Sequence, residues 1–181
     1  MIKHCIALIG MPGAGKSRIG RLLSARYKFP FVDLDRAIER AEDAPTTQIF
    51  AERGEEYFRA LEAAALSSAA TAGGCVIACG GGIVVKERNI KLLQDSCFTV
   101  FLRASLSTLL ARVEGKDTRP LLSGDPESKL RALWEAREPL YSRAADCTVC
   151  VDAGDPAAVA SEIVAAAEKA GVLTRGKFTN P

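Results

Sequence analysis

The eight residues G-M-P-G-A-G-K-S, Gly10 to Ser17, constrain the fold more than any other feature of the chain. They follow a short apolar run, CIALI, and precede a helix-forming stretch, so a strand, a glycine-rich turn and a helix occur in that order. The motif fits GxxxxGK[ST], in which backbone N–H groups and the helix N-terminus surround phosphates. Lys16 would reach the β- and γ-phosphates, and Ser17 would offer its hydroxyl to Mg²⁺. The motif therefore predicts binding of ATP with magnesium. The residues expected to bind the nucleotide at the motif are Gly13, Ala14, Gly15, Lys16, Ser17 and Arg18.

Short apolar runs alternate with longer helical segments along the chain. The apolar runs lie at 5–10, 29–35, 75–80, 98–102 and 147–152 and predict five strands. The predicted helices are 16–27, 46–72 with a break near Gly54, 86–94, 105–113, 126–144 and 155–170. Parallel strands need crossover connections, and these cover both faces of the sheet. We therefore expect an α/β fold of three layers with a doubly wound, parallel, five-stranded sheet.

Composition limits the number of domains and the classes of partner. The chain has 181 residues, 48% of them apolar, which suits one domain, 1–173, followed by a flexible polar tail, 174–181. Its 24 basic and 22 acidic side chains leave a net charge of +2, which gives no global attraction to nucleic acid or an anionic membrane. No apolar stretch approaches the about 20 residues that span a bilayer, and the first residues do not resemble a signal peptide. We expect a cytoplasmic protein.

Six cysteines are predicted to be reduced, and most of them buried: Cys5, Cys75, Cys79, Cys97, Cys147 and Cys150. Cys147 and Cys150 have the CxxC spacing of metal and redox sites. They lie in a strand-like run, CTVCV, where residues three apart face opposite sides of a sheet. We therefore expect buried strand cysteines in place of a metal or redox site.

Two polar or glycine-rich groups follow predicted strands, at the edge where ligands bind in open α/β sheets. Asp33 and Asp35 would project on one face; one could orient Mg²⁺ through water and the other accept a proton or hydrogen bond from an attacking hydroxyl. Helix capping by Asp35 is the alternative. The glycines 80–82 would allow a backbone to approach a ligand and supply N–H donors, with a plain turn as the alternative.

Two arginines and one polar segment complete the candidate site. Arg59 and Arg137 suit a carboxylate substrate because guanidinium and carboxylate form a planar fork, although either could be a solvated helix charge. Glu62 lies three residues after Arg59 on the same helix face and could hold it in place. The segment 114–126 is interrupted by glycines and prolines and predicts a lid carrying Arg119, with a solvated connector as the alternative.

Together these motifs resemble the shikimate kinase family over residues 6–170. The matching motifs are the P-loop, Asp33 with Asp35, GEEYFRALE with Arg59, the glycines 80–82, RPLL from Arg119 and REPLY from Arg137. The resemblance implies a P-loop kinase fold of the nucleoside monophosphate kinase type with a lid loop. It also implies ATP-dependent phosphorylation of the 3-hydroxyl of shikimate by a monomer.

The resemblance further implies roles for the matching positions. The catalytic residues would be Lys16, Asp35 and Arg119, and the shikimate-binding residues would be Asp35, Arg59, Gly81, Gly82 and Arg137. Ser17 would bind Mg²⁺ and Asp33 would support it through water; Arg119 would close onto the ATP phosphates, and Arg112 would lie beside adenine. The chain departs from the family at Arg18, where Thr or Ser is common, so a backbone N–H must replace a hydroxyl contact. It is also short near 152–156, where relatives often have a basic residue.

Other functions remain open from the residues alone. A gluconate kinase would also need arginines for a carboxylate, and a nucleoside monophosphate kinase would share the architecture. A nucleotide-dependent switch is disfavoured because the chain has neither DxxG after the P-loop nor NKxD. The joint presence of Lys16, Asp35 and Arg119 argues against an ATP-binding protein without catalysis.

Overall fold

The structure, a computed structural model, describes residues 3–113, 126–152, 154–174 and 177–178. In chain order the elements are β1 (Cys5–Ile9), α1 (Lys16–Tyr27), β2 (Phe31–Asp33), α2 (Leu34–Glu42), α3 (Thr46–Ala72), β3 (Val76–Ala78), a 3₁₀ turn (Ile83–Val85), α4 (Glu87–Ser96), β4 (Cys97–Arg103), α5 (Leu106–Val113), α6 (Pro126–Ala144), β5 (Cys147–Cys150), α7 (Pro156–Lys169), β6 (Leu173–Thr174) and β7 (Lys177–Phe178). Among the helices described, none has the length and apolar character needed to cross a membrane.

The five strands β1 to β5 form one parallel sheet in the order β2-β3-β1-β4-β5. The central strand β1 is fully buried, and its Ala7 is in register with Ile77 on one side and Thr99 on the other. Helix α1 packs against α7, while α4 packs against α3 and α6. Right-handed crossovers place these two groups on opposite faces of the sheet. The predicted three-layer, doubly wound fold is confirmed.

The second predicted strand, 29–35, is too long at its C-terminal end. The strand stops at Asp33, whose side chain accepts a hydrogen bond from the N–H of Arg36 at 3.4 Å and caps α2. Leu34 and Ile38 are buried four residues apart on this helix, which was foreseen only in the alternative of a helix capped by Asp35. Asp35 therefore lies in the first turn of α2, and the expectation that both carboxylates project from one face of a strand is wrong. The cap is Asp33, which also corrects the alternative of a cap at Asp35.

The break predicted near Gly54 is present. Gly54 has φ 80° and ψ 172° inside α3, so two helical segments meet at a kink. Phe50 before the kink and Phe58 after it have ring centroids 4.4 Å apart. With Ile38 and Ile49 they form a small apolar cluster separate from the main core. This cluster fixes the start of α3 against α2 and thereby supports one wall of the cavity described below.

The chain end differs in part from the expected tail. Leu173–Thr174 pairs antiparallel with Lys177–Phe178 in a two-stranded sheet, which nothing in the local pattern indicated. Residues 175–176 and 179–181 lie outside the described residues, so the flexibility of the tail stays a prediction.

The cysteines are free thiols, and four of the six are buried. Cys5, Cys75 and Cys97 lie at the starts of neighbouring strands, where small apolar side chains fit a closely packed sheet. Cys147 is half-buried and Cys150 is exposed, so the expected burial is wrong for Cys150. The reason is that β5 is an edge strand of the sheet and leaves one side chain facing solvent.

We expect Cys150 to be alkylated first in the folded protein, followed by Cys147. Burial raises the pKa of the Cys147 and Cys79 thiols, so little thiolate is present there. The four buried thiols should react more than about 100-fold more slowly than Cys150, because reagent reaches them only after local opening of the core. Iodoacetamide labelling followed by peptide mass spectrometry measures each rate, with the protein in urea as the control in which all six react. Labelling of Cys5 as fast as Cys150 in the native protein would contradict the described core.

Candidate active site

A cavity of about 570 Å³ opens at the carboxyl edge of the sheet. It is lined by the turn after β1, the start of α2, the middle of α3 and the glycines after β3, with further walls from α5, α6 and the turn before α7. The sequence-predicted residues that line it are Gly13, Ala14, Gly15, Lys16, Ser17, Arg18, Asp33, Asp35, Arg59, Gly81, Gly82, Arg112 and Arg137. Arg119 and the segment 114–125 lie outside the described residues. The fold thus brings every described candidate to one cavity, which has the size of a small-molecule site.

One end of the cavity is an anion site built on the backbone. Gly13 and Gly15 have φ values of 91° and 95°, which residues with a Cβ rarely adopt, and they turn the chain into α1. The first turn of α1 has neither an acidic residue nor a side-chain cap, and the first intrahelical bond runs from Ile19 N to Gly15 O at 2.9 Å. The N–H of Ala14 donates to Met11 O at 3.1 Å, whereas those of Gly15, Ser17 and Arg18 have no partner among the described residues and are available to an anion. Lys16 Nζ donates to the carbonyl oxygens of Gly10 at 2.8 Å and Met11 at 3.0 Å, within reach of the same space.

Beside this anion site is a slot between two turns. Arg112 donates to Val151 O at 2.9 Å and to Gly13 O at 3.4 Å, so its guanidinium connects the end of β5 to the P-loop. Gly154 and Pro156 also line the cavity. The planar guanidinium of Arg112 is able to stack on a planar group.

The other end of the cavity contains a buried arginine held by two acids. Arg59 is 3% exposed; it forms an ion pair with Glu62, and it bonds to Glu55 through Nε at 3.1 Å and Nη2 at 2.9 Å. The ion pair confirms the prediction that Glu62, on the same helix face, holds Arg59 in place. Glu55, four residues before Arg59, is a partner that the sequence analysis missed, although its (i, i+4) spacing is a signal for such a pair.

Arg137 approaches the same end from α6. It is 7% exposed and donates to Gly81 O at 3.1 Å, and the Tyr141 hydroxyl donates to the same oxygen. Burial raises the pKa of Tyr141 to about 12, so the phenol stays a donor. Tyr141 belongs to the REPLY motif but was not predicted as a site residue, although its four-residue spacing from Arg137 was an available signal.

Steric crowding explains why glycines follow β3 at 80 and 82. A Cβ at Gly80 would overlap the Glu62 carboxylate and would lie 3.0 Å from Asp35 Oδ1. A Cβ at Gly82 would overlap the Arg59 guanidinium. The run is therefore more than a plain turn: it lets buried charged side chains approach the backbone. Its predicted contact with a ligand stays a prediction.

Glu62 is a buried acidic residue of the cavity whose pKa is shifted. Its side chain is 1% exposed, and burial raises its pKa above the ordinary value; Arg59 opposes the rise and Asp35 adds to it. Glu62 Oε2 binds Arg59, while Oε1 has no hydrogen-bond partner among the described residues. The neighbouring guanidinium compensates the charge of this buried carboxylate, and its removal would leave that charge unpaired.

The oxygen donors Ser17 and Asp33 both line the cavity. Both are hard ligands of the kind that Mg²⁺ binds together with phosphate and water oxygens. Among the residues that the structure describes, no group of three or more His, Cys, Asp or Glu side chains could hold a metal. The donor set fits a magnesium ion that is bound together with a nucleotide.

Comparison with known proteins relates this chain to a family. The family model described as shikimate kinase matches residues 12–168. A shikimate kinase from Symbiobacterium thermophilum is 43% identical over 162 residues, which cover 88% of this chain and 93% of that protein.

Solved structures give the same relationship. A shikimate kinase from Acinetobacter baumannii, solved in complex with shikimate, superposes with a TM-score of 0.89 at 32% identity, covering 94% of this chain and 96% of that one. A gluconokinase from Sinorhizobium meliloti covers 93% of this chain and 94% of its own with a TM-score of 0.55 at 20% identity. The second likeness concerns the fold alone.

Proposed function

The chain belongs to the shikimate kinase family, and from this premise we propose how its residues transfer the γ-phosphoryl group of ATP to shikimate. The reaction phosphorylates the 3-hydroxyl and gives shikimate 3-phosphate and ADP, a step of chorismate and aromatic amino-acid biosynthesis. One observation supports the assignment of residues. The same cavity has a phosphate-type anion site at one end and two buried arginines, Arg59 and Arg137, at the other.

We assign the two ends to the two substrates. The triphosphate occupies the turn after β1, where Lys16 exchanges its carbonyl partners for phosphate oxygens, and adenine occupies the slot beside Arg112. The carboxylate of shikimate binds Arg59 and Arg137, with Gly81 and Gly82 close to the ring. This arrangement supplies opposite charge where each substrate is negative.

Asp35 lines the same cavity from the first turn of α2. Its carboxylate accepts a hydrogen bond from the 3-hydroxyl and directs that oxygen toward the γ-phosphorus. As the new oxygen–phosphorus bond forms, the bond from the γ-phosphorus to the bridging oxygen of ADP breaks, and Asp35 takes the hydroxyl proton. Positioning and electrostatic stabilisation carry most of a phosphoryl transfer, because little covalent chemistry is left to the protein. Lys16 stabilises the charge that develops on the transferred group.

A magnesium ion would be held by Ser17 directly and by Asp33 through water. When bound, it neutralises charge on the β- and γ-phosphates. Ser17 lies at the second position of α1, so its hydroxyl is fixed by the helix, and Asp33 is fixed by its cap of α2.

The remaining assignments rest on sequence. Arg119, on a lid at 114–126, would close onto the ATP phosphates and exclude water. We propose one domain, 1–173, that acts as a cytoplasmic monomer, because one chain supplies both ends of the cavity. Light scattering after size exclusion measures the mass, and a stable dimer would contradict the monomer.

Turnover should depend on shikimate. We expect ADP release from ATP·Mg²⁺ to require shikimate and to stay at background with gluconate, AMP or no acceptor, because the chain belongs to the shikimate kinase family. Arg59 and Arg137 alone would suit the carboxylate of shikimate or of gluconate. A coupled assay with the four conditions in parallel measures this. Turnover with gluconate or AMP in place of shikimate would overturn the acceptor, and no turnover at all would overturn the enzyme.

A further inference from the structure

Arg18 is a charged residue in the cavity to which no role beyond its backbone N–H has been given. It is the third residue of α1, it is exposed, and its side chain lines the cavity. Within the ranges that the structure describes, its guanidinium has no hydrogen bond or ion pair. A cation that lines a ligand cavity without a protein partner is available to an anionic ligand.

The helix offers Arg18 no acid. Its neighbours one turn away are Ala14, Gly15, Arg21 and Leu22, so no carboxylate lies at the spacing of a helical ion pair. The three carboxylates that line the cavity among the described residues come from other elements and are already engaged: Asp33 caps α2, Glu62 pairs with Arg59, and Asp35 also has an interaction within the protein. Arg21 also lines the cavity, so the exposed side of this turn is basic.

The phosphates next to this turn differ in what the protein supplies to them. Lys16 serves the β- and γ-phosphates, and Ser17 serves the magnesium ion, whereas the α-phosphate receives only N–H groups from the turn. Arg18 follows Ser17 directly and stands where a hydroxyl is common among relatives. We propose that the guanidinium of Arg18 binds the α-phosphate of ATP and ADP and replaces that hydroxyl contact; this inference rests on the proposed function.

The contact has a defined kinetic consequence. The α-phosphate does not react, so Arg18 binds it equally in the substrate, the transition state and the product. Such uniform binding lowers the KM for ATP and leaves kcat unchanged. Arg18 is therefore a positioning residue for the nucleotide, in contrast to Lys16.

The test compares Arg18→Gln with Arg88→Gln, which removes the same charge from an exposed site on α4 outside the cavity. Titration calorimetry measures the Kd of Mg·ADP and of Mg·adenylyl imidodiphosphate for both variants and the wild type. We expect Arg18→Gln to raise both Kd values by the same factor, about tenfold. Arg88→Gln should change them by less than about twofold. The KM for ATP should rise with Arg18→Gln, while kcat and the KM for shikimate should not.

Three results would overturn the inference: an unchanged Kd for Mg·ADP in Arg18→Gln, a loss confined to the ATP analogue, or an equal loss in Arg88→Gln. The second result would place the guanidinium at the γ-phosphate. The third would show that the loss of affinity comes from the change in net charge and not from a contact. Wild-type turnover with shikimate is recorded in parallel and tests the proposed function separately. A wild type that neither binds Mg·ADP nor turns over would overturn both.

Discussion

Lys16→Met is expected to reduce shikimate-dependent turnover on the order of 10³-fold, which corresponds to about 4 kcal/mol of transition-state stabilisation. Methionine keeps much of the length of lysine but carries no charge, so the transferred phosphoryl group loses the cation nearest to it. In the free protein Lys16 Nζ donates to the carbonyl oxygens of Gly10 and Met11, and the substitution removes both bonds.

The measurement is kcat under saturating ATP and shikimate, with the melting temperature as a check on folding. Lys91→Met is the matched control, because Lys91 is an exposed residue of α4 whose ion pair with Asp95 lies outside the cavity. Its kcat should equal that of the wild type. Normal turnover by Lys16→Met would refute the role of the P-loop lysine.

Arg59→Ala is expected to raise the KM for shikimate about 100-fold, because one of two guanidinium contacts to the carboxylate is lost. It should also lower stability at neutral pH by about 3 kcal/mol, since Glu62 remains buried without its cation. Kinetics and urea unfolding measure the two effects separately. Arg137→Ala is the internal comparison: its guanidinium donates to Gly81 O, so its KM effect should come with a smaller loss of stability.

The stability loss of Arg59→Ala should depend on pH. Burial already raises the pKa of Glu62 above its ordinary 4.5, and removing Arg59 removes the main influence that opposes the rise. A carboxyl whose folded pKa is raised favours the folded state fully below its unfolded pKa, and this contribution is lost as pH rises through the folded value. Unfolding at pH 5 should therefore show a smaller loss than unfolding at pH 8.

The double variant Arg59→Ala/Glu62→Gln separates structure from binding. Replacing the stranded carboxylate by a neutral amide should restore most of the stability and abolish the pH dependence, while the KM for shikimate stays high. A double variant that regains a normal KM would show that Arg59 acts on the fold only.

Much of the fold could be predicted because its signals are local. The P-loop spacing fixed the first strand, turn and helix, and α1 begins and ends at the predicted residues. The break at Gly54 was also readable, since it depends on a few neighbouring residues. Helix α2 was foreseen only as an alternative because its two buried residues follow a run of strand formers without an interruption.

The sequence by itself determined the phosphate-binding turn, the alternation of strands and helices, and the family, because these are patterns of adjacent residues. Only the tertiary structure decided how Glu62 and Arg59 lie against the glycines after β3, and that Tyr141 reaches Gly81. It also showed Arg18 without a protein partner among the described residues. These are contacts between segments far apart in the chain, and their distances follow from how the helices pack on the sheet, which no local periodicity encodes.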